Sequence, residues 1–150
     1  ELRLRIAGHV PPADATYTDY GRRVRAMAAE RPWIKLEGVL TGEAKAKYLS
    51  ECRFAIHHCE VEAFGISVTE YLKAGVVPVV PKAGGSSEVV ADPDLVFASD
   101  DDAVSLLVRL VEDTPFYELC RERCLVRGAV FAASAYRARQ GELLRELNII

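Results

Sequence analysis

Two glutamates bracket a glycine-containing loop near the middle of the chain, in the run Glu62-Ala-Phe-Gly-Ile-Ser-Val-Thr-Glu70. The run predicts a helix that begins near Ile66, so Glu62 precedes the helix and Glu70 lies about one turn inside it. The first amides of a helix have no intrahelical acceptor, and with the positive end of the helix dipole they suit an anion, above all a phosphate. Gly65 lets such a ligand approach the backbone without a Cβ in the way.

The two carboxylates would be repelled by a phosphate, so their natural partners are hydroxyl groups. Glu70 can point back toward the ligand, because helical side chains lean toward the helix N-terminus. Each carboxylate can accept two hydrogen bonds, which matches the vicinal diols of a sugar or a ribose. A phosphate flanked by two diols describes a nucleotide sugar. The alternative is that Glu70 is a solvated helix residue and Glu62 a helix-start acid favoured by the dipole, and the residues alone leave both readings open.

The elements that must position this run follow an alternating pattern of β-rich runs and helical periods. Strands separated by helices of this length indicate an α/β fold, a Rossmann-like doubly wound parallel sheet with helices on both faces. We expect Pro78 at a strand start or an open edge, because it lacks a ladder donor. The predicted strands are Leu2–Ala7 (closed by Pro11 and Pro12), Ile34–Glu37, Arg53–His58, Val76–Val80 and Leu95–Ala98; the predicted helices are Thr18–Arg31, Glu43–Cys52, Ile66–Ala74, Glu88–Ala91, Asp100–Asp113, Phe116–Arg127 and Ser134–Leu147.

In such sheets, ligands bind beyond the carboxyl ends of the strands. Four loops qualify by this rule, and their residues are the candidates for binding: Gly8-His9-Val10, Gly38-Val39-Leu40, the run from Cys59 to Ile66, and Lys82 to Ser87.

Composition and motifs exclude several classes of function. Nineteen basic against 22 acidic residues give a formal net charge of −3, which argues against a general nucleic-acid-binding surface. No apolar stretch is long enough to span a membrane. Neither a Gly-x-Gly-x-x-Gly fingerprint after a strand nor a P-loop is present. The chain therefore does not match a dinucleotide-binding dehydrogenase or a P-loop enzyme.

The histidines and cysteines predict no metal site and no cofactor. The spacing of His9, His57 and His58 shows no convergence of ligands, and no Cys-x-x-Cys pair occurs. We expect the cysteines to be small buried hydrophobes in a reduced, cytoplasmic protein: Cys52, Cys59, Cys120 and Cys124.

Two further motifs follow the glutamate run, Ala74-Gly-Val-Val-Pro-Val and Gly84-Gly-Ser-Ser-Glu-Val. Together the three closely resemble the group-1 (family 4) retaining glycosyltransferases, from Leu2 through the final helix. In that family this region is the C-terminal, donor-binding half of a two-domain GT-B enzyme. The resemblance implies that Glu62 and the amides of Phe64 to Ile66 meet the transferred sugar and its phosphate. It also implies that Glu70 holds the ribose diol and that Gly38-Val39-Leu40 borders the base.

The resemblance implies a reaction and its partners as well. A sugar would pass from a UDP- or GDP-linked donor to an acceptor hydroxyl with retention, without a covalent nucleophile in this chain. The acceptor, a glycan or a lipid-linked glycan, would bind through an N-terminal domain that is missing here, which could also attach the enzyme to a membrane surface. The alternative is a noncatalytic nucleotide-sugar-binding or interaction module.

The resemblance further predicts how the strands pair. In the strand order 3-2-1-4-5-6 this chain would supply the second to sixth strands and lack the first. Leu2–Ala7 would pair with Ile34–Glu37, and Arg53–His58 with Val77–Val80. An empty position would lie between Leu2–Ala7 and Arg53–His58.

Overall fold

Strands and helices alternate along the chain, and all the strand pairs are parallel, so the prediction of an α/β fold is confirmed. The computed structural model describes residues 2–9, 18–59 and 61–149. Two units can be separated, Glu1–Tyr48 and Leu49–Ile150. None of the helices in the described ranges has both the length and the apolar character that a membrane crossing requires.

The first unit contains a two-stranded parallel sheet. Strand β1 (Leu4–Ala7) pairs with strand β2 (Ile34–Gly38), as predicted, and helix α1 (Thr18–Ala29) connects them. Charged side chains hold Glu37, whose carboxylate contacts both Lys35 and Arg5. These contacts, with Lys35 first, lower the pKa of Glu37 below its ordinary value. The prolines expected to close β1 lie outside the described residues.

The second unit contains a three-stranded sheet in the order β3-β4-β5, with β3 at Phe54–Ile56, β4 at Val77–Pro81 and β5 at Val96–Phe97. The predicted pairing of the third and fourth strands is confirmed. An empty position between Leu2–Ala7 and Arg53–His58 stays a prediction. The remaining helices are α2 (Gly42–Ser50), α3 (Ile66–Ala74), α4 (Gly85–Val90), α5 (Asp100–Glu112), α6 (Thr114–Ala129) and α7 (Ala133–Glu146), with a 3₁₀ turn at Pro93–Leu95.

Pro78 lies near the start of the central strand β4, as expected. Val77 and Val79 make the ladder hydrogen bonds to β3, through the amide of Val77 and the carbonyl of Val79. Pro78 therefore turns its missing donor toward β5, where pairing begins only at Val80. The absent N–H costs no ladder hydrogen bond in this register.

The core of the second unit lies around β4, all five residues of which are buried. Cys120 and Cys124 pack into this core, as predicted. The same expectation is wrong for Cys59, whose side chain is exposed. Helix α7 buries no residue, and its Tyr136 side chain is exposed.

Several helix boundaries differ from the sequence prediction by one to three residues, and the start of α4 is the one that bears on the site. Helix α4 begins at Gly85 rather than at Glu88, although glycine and serine are weak helix formers. Arg127 holds the far end of this helix, donating from Nε to the carbonyl of Val89 at 2.8 Å and from Nη2 to that of Glu88 at 2.9 Å. These tertiary hydrogen bonds satisfy carbonyls that a short helix would leave without intrahelical partners.

Candidate functional site

The loop between β3 and α3 leads directly into a helix N-terminus. Helix α3 begins at Ile66 and ends at Ala74, with both bounds as predicted from the sequence. Gly65 precedes it with φ 90° and ψ 64°, a left-handed conformation that favours glycine, and it supplies no side-chain cap. The first amides of α3 therefore have no capping oxygen from the N-cap residue. This is the arrangement expected of a helix terminus that receives an anion from outside the chain.

Glu62 lies beside this helix start, partly buried. Its Oε1 accepts a 3.3 Å hydrogen bond from the amide of Phe64, and its Oε2 lies 3.6 Å from Nε2 of His57. The carboxylate thus has one oxygen on the loop backbone and the other facing a histidine. The hydrogen bond from the Phe64 amide orients the carboxylate relative to α3.

A close backbone contact holds the same loop from the other side. The amide of Gly85 donates a 2.7 Å hydrogen bond to the carbonyl of Glu62. A Cβ on Gly85 would lie 2.2 Å from the carbonyl oxygen of Ala63, so only glycine fits here without a shift of the backbone. The second glycine of the Gly84-Gly85 motif therefore fixes the loop that carries Glu62.

Glu70 lies in the second turn of α3 and is partly buried. The next residue, Tyr71, hydrogen-bonds to Ser67 one turn earlier, and burial raises the pKa of Tyr71. The Glu70 carboxylate acts on that pKa in the same direction. Tyr71 thus remains a neutral phenol at physiological pH.

The adjacent histidines at the end of β3 have different partners. His57 faces Glu62, whereas His58 lies 2.8 Å from Asp100 through Nε2 and stacks on the ring of Phe97. His58 and Asp100 also line a cavity of about 260 Å³ at the carboxyl ends of β4 and β5, together with Lys82. The two neighbouring histidines thus have separate partners, as the alternation of side chains along an extended chain requires.

The other residues of the predicted site lie in the first unit, at the carboxyl ends of its strands. The amide of Gly8 donates a 2.8 Å hydrogen bond to the carbonyl of Gly38. His9 and Val39 are exposed, and Leu40 is partly buried. The structure brings Gly8 and Gly38 together, and their contribution to ligand binding stays a prediction.

Sequence reasoning had missed His57 as the neighbour of Glu62. It weighed His57 only together with the other histidines. Strand alternation was the available signal, because it places neighbouring residues on opposite faces of β3. No local pattern in the sequence points to Arg127, because its hydrogen bonds to α4 join residues far apart in the chain.

The family model for glycosyl transferases group 1 matches residues 1–124. The chain belongs to this family. The prediction made from the glutamate run and the two glycine motifs is therefore confirmed at the level of the family. No curated protein matches this group-1 glycosyltransferase chain significantly.

Solved structures agree with the fold of this group-1 chain. Sucrose-phosphate synthase from Thermosynechococcus elongatus superposes with a TM-score of 0.80 and 20% identity, over 98% of this chain and 39% of that one. HepE from Anabaena in complex with UDP superposes with a TM-score of 0.77 and 17% identity, over 97% of this chain and 41% of that one. HepE in complex with UDP-glucose superposes with a TM-score of 0.75 and 16% identity, over 96% of this chain and 41% of that one. The chain thus spans about two fifths of these structures, and the Rossmann-like GT-B domain fold is confirmed.

Proposed function

We propose that this chain is the donor-binding part of a retaining glycosyltransferase, which transfers a sugar from a nucleotide diphosphate sugar to an acceptor hydroxyl. Family membership supports sugar transfer as the chemistry, and HepE, which shares the fold, has been solved with UDP and with UDP-glucose. The observation that carries the proposal is the position of Glu62 beside the uncapped N-terminus of α3.

The first amides of α3 would stabilise the departing diphosphate. Negative charge grows on the diphosphate as its bond to the sugar breaks, and fixed amide dipoles oppose that charge without reorganising. Gly65 keeps the approach to these amides open. The α3 N-terminus would therefore supply electrostatic stabilisation in the transition state, supplemented by cationic groups outside the described site.

Glu62 would hold the sugar and Glu70 the ribose. When a phosphate takes the amide of Phe64, the Oε1 of Glu62 is released from its 3.3 Å bond and can accept from a sugar hydroxyl. The carboxylate of Glu70 would accept the two hydroxyls of the ribose diol. From the family resemblance, the turn at Gly38-Val39-Leu40 is proposed to contact the base, with Gly8 and His9 as further contacts.

No residue of this chain is assigned as a covalent nucleophile. We propose front-face transfer, in which the acceptor oxygen bonds to the anomeric carbon as the bond to the diphosphate oxygen breaks. The acceptor proton passes to the leaving diphosphate, so atoms and charge balance within the ternary complex. The chain's own contribution is to position the donor and to stabilise charge.

The acceptor is proposed to bind through a further domain, as a glycan or a lipid-linked glycan on the cytoplasmic side. UDP- and GDP-linked sugars are both candidate donors. In this arrangement the present chain is the C-terminal nucleotide-sugar-binding domain of the enzyme.

Calorimetric titration with a panel of UDP- and GDP-sugars tests donor binding directly. Binding of a nucleotide sugar and of its nucleoside diphosphate is the expected result. Absence of binding by every member of the panel, with a folded chain, would contradict the assignment of the site. An activity assay on the full-length protein, with the anomeric configuration of the product read by NMR, then separates a retaining enzyme from a noncatalytic binding module.

A further inference from the structure

Three metal-ligating side chains converge on the loop after β3. The Nε2 or Nδ1 of His57, the Sγ of Cys59 and a carboxylate oxygen of Glu62 all lie within 4.8 Å of one another. We propose that they form a binding site for a borderline-soft divalent cation of the Zn²⁺ class. The spacing His-x-Cys-x-x-Glu places all three ligands on one short loop.

The state of each ligand favours a cation at this position. His57 Nε2 is buried and has no hydrogen-bond partner among the described residues. It lies 3.6 Å from the Glu62 oxygen, too far for a good direct hydrogen bond and suited to an atom between them. Cys59 is a free, exposed cysteine, which gives an ion in solution access to the site. A bound cation would satisfy the buried histidine nitrogen.

The ligand set selects the cation. One nitrogen, one sulfur and one oxygen ligand suit Zn²⁺ and Co²⁺, whereas Mg²⁺ and Ca²⁺ prefer oxygen ligands alone. Bonds of about 2.0–2.3 Å in a tetrahedral site place the donor atoms about 3.5 Å apart, so the loop would have to close by about an ångström. Three protein ligands leave the fourth position open for water or another small ligand.

A hydrogen bond to one carboxylate oxygen of Glu62 would orient the other oxygen toward the cation. The amide of Phe64 donates to Oε1, which leaves Oε2, the oxygen nearest His57, to meet the cation. Such an outer hydrogen bond fixes a ligating carboxylate and raises affinity. The loop geometry therefore supplies both the ligands and the support of one of them.

A cation here would compete with the donor. This consequence rests on the proposed function, which assigns the Glu62 carboxylate to the sugar. A bound cation would occupy that carboxylate, so Zn²⁺ would inhibit donor binding rather than assist it. Metal binding itself does not depend on that assignment and can be measured without any nucleotide.

Titration with Co²⁺ in a non-thiol reductant tests the site by absorption spectroscopy. We expect one equivalent to bind with a thiolate-to-cobalt charge-transfer band and the intense visible bands of tetrahedral Co²⁺. Cys59→Ser should abolish the charge-transfer band, and His57→Gln should weaken binding by more than about tenfold. Cys52→Ser and His58→Gln are the matched controls and should bind Co²⁺ as the parent does. Circular dichroism confirms that each variant is folded.

Absence of the charge-transfer band in the parent, or its persistence in Cys59→Ser, would overturn the metal site. Equal weakening in His57→Gln and His58→Gln would do the same. The donor arm measures, with and without saturating Zn²⁺, the affinity for the UDP- or GDP-sugar that binds best in the calorimetric panel. Loss of affinity in the parent but not in Cys59→Ser supports competition. If that nucleotide sugar binds equally with and without Zn²⁺, the competition is refuted while the metal site stands. If no member of the panel binds at all, the proposed function fails instead.

Discussion

The backbone amide of Gly85 donates a 2.7 Å hydrogen bond to the carbonyl oxygen of Glu62. This contact joins the glycine-rich motif at the start of α4 to the loop that carries the candidate sugar-binding carboxylate. Ala63 lies so close that a Cβ on Gly85 would approach its carbonyl oxygen to 2.2 Å. Two of the three motifs that resemble the family are thus joined by a direct backbone contact.

Gly85→Ala is expected to destabilise the fold and to displace the Glu62 loop. The new Cβ would meet backbone atoms, which cannot move aside as a flexible side chain can, and overpacking of this kind costs about 1–3 kcal/mol. Chemical denaturation measures the loss. Gly141→Ala is the matched control, because Gly141 lies inside α7 and its Cβ would meet nothing closer than 3.8 Å. That variant should gain about 0.5–1 kcal/mol, and equal effects of the two substitutions would contradict the close contact.

Glu70→Ala is expected to weaken UDP binding by about 1.5–3 kcal/mol, because hydrogen bonds to a charged group are lost. The ribose assignment is tested by repeating the titration with 2′,3′-dideoxy-UDP. The parent should lose affinity for this analogue and the variant should lose little more. If both lose equally, Glu70 does not contact the ribose. Glu112→Ala, at the exposed end of α5, controls for the change of net charge.

Glu62→Gln in the full-length enzyme is expected to lower turnover more than it lowers affinity for UDP. The reason is that Glu62 is assigned to the sugar, which UDP lacks. Steady-state kinetics and calorimetry with UDP and UDP-glucose give the two quantities. Equal losses of UDP and UDP-glucose affinity would place Glu62 away from the sugar.

Arg127→Ala is expected to cost about 1.5–3 kcal/mol of unfolding free energy. The guanidinium donates to the carbonyls of Val89 and Glu88 and lies over the ring of Phe131. Arg139→Ala is the matched control, since its ion pair with Glu142 is exposed and such pairs contribute about 0–1 kcal/mol. Urea denaturation should separate the two variants; indistinguishable midpoints would mean that Arg127 does not stabilise α4.

Stability should fall at alkaline pH through Cys124. Burial raises the pKa of this thiol to about 12, whereas an unfolded thiol titrates near about 8.5. The contribution of the neutral, buried thiol to the free energy of unfolding is therefore complete below about pH 8.5. Above that pH the thiol ionises in the unfolded chain while it is still neutral in the folded one. The free energy of unfolding then decreases by up to about 1.4 kcal/mol per pH unit, until the folded thiol also ionises near pH 12.

Denaturation of the parent and of Cys124→Ala across this range tests the assignment. The difference in unfolding free energy between them should shrink as pH rises, because only the parent carries the buried thiol. Val90→Ala, which removes buried apolar atoms and no titratable group, should keep a constant difference from the parent. A constant difference for Cys124→Ala as well would show that the thiol is not protected in the fold.

Local sequence determined the elements that carry the site. Helix α3 runs from Ile66 to Ala74 as predicted, because its periodicity and the glycines on either side, Gly65 and Gly75, are signals that neighbouring residues supply. The parallel pairings of β1 with β2 and of β3 with β4, which the family resemblance predicts from the usual strand order, are also confirmed. The family could be recognised from motifs on these same elements.

Tertiary structure alone decided how the loop side chains meet. Helix α4 is held at its start by the carbonyl of Glu62 and at its far end by Arg127, both of which lie far away in the sequence. Glu62 faces His57 because the chain bends between β3 and α3, and no periodicity predicts such a bend. Cys59 on the same loop is exposed, although cysteine is usually buried. Periodic patterns report which face of an element is buried, whereas the direction of each loop side chain depends on backbone angles and distant contacts that only the folded chain provides.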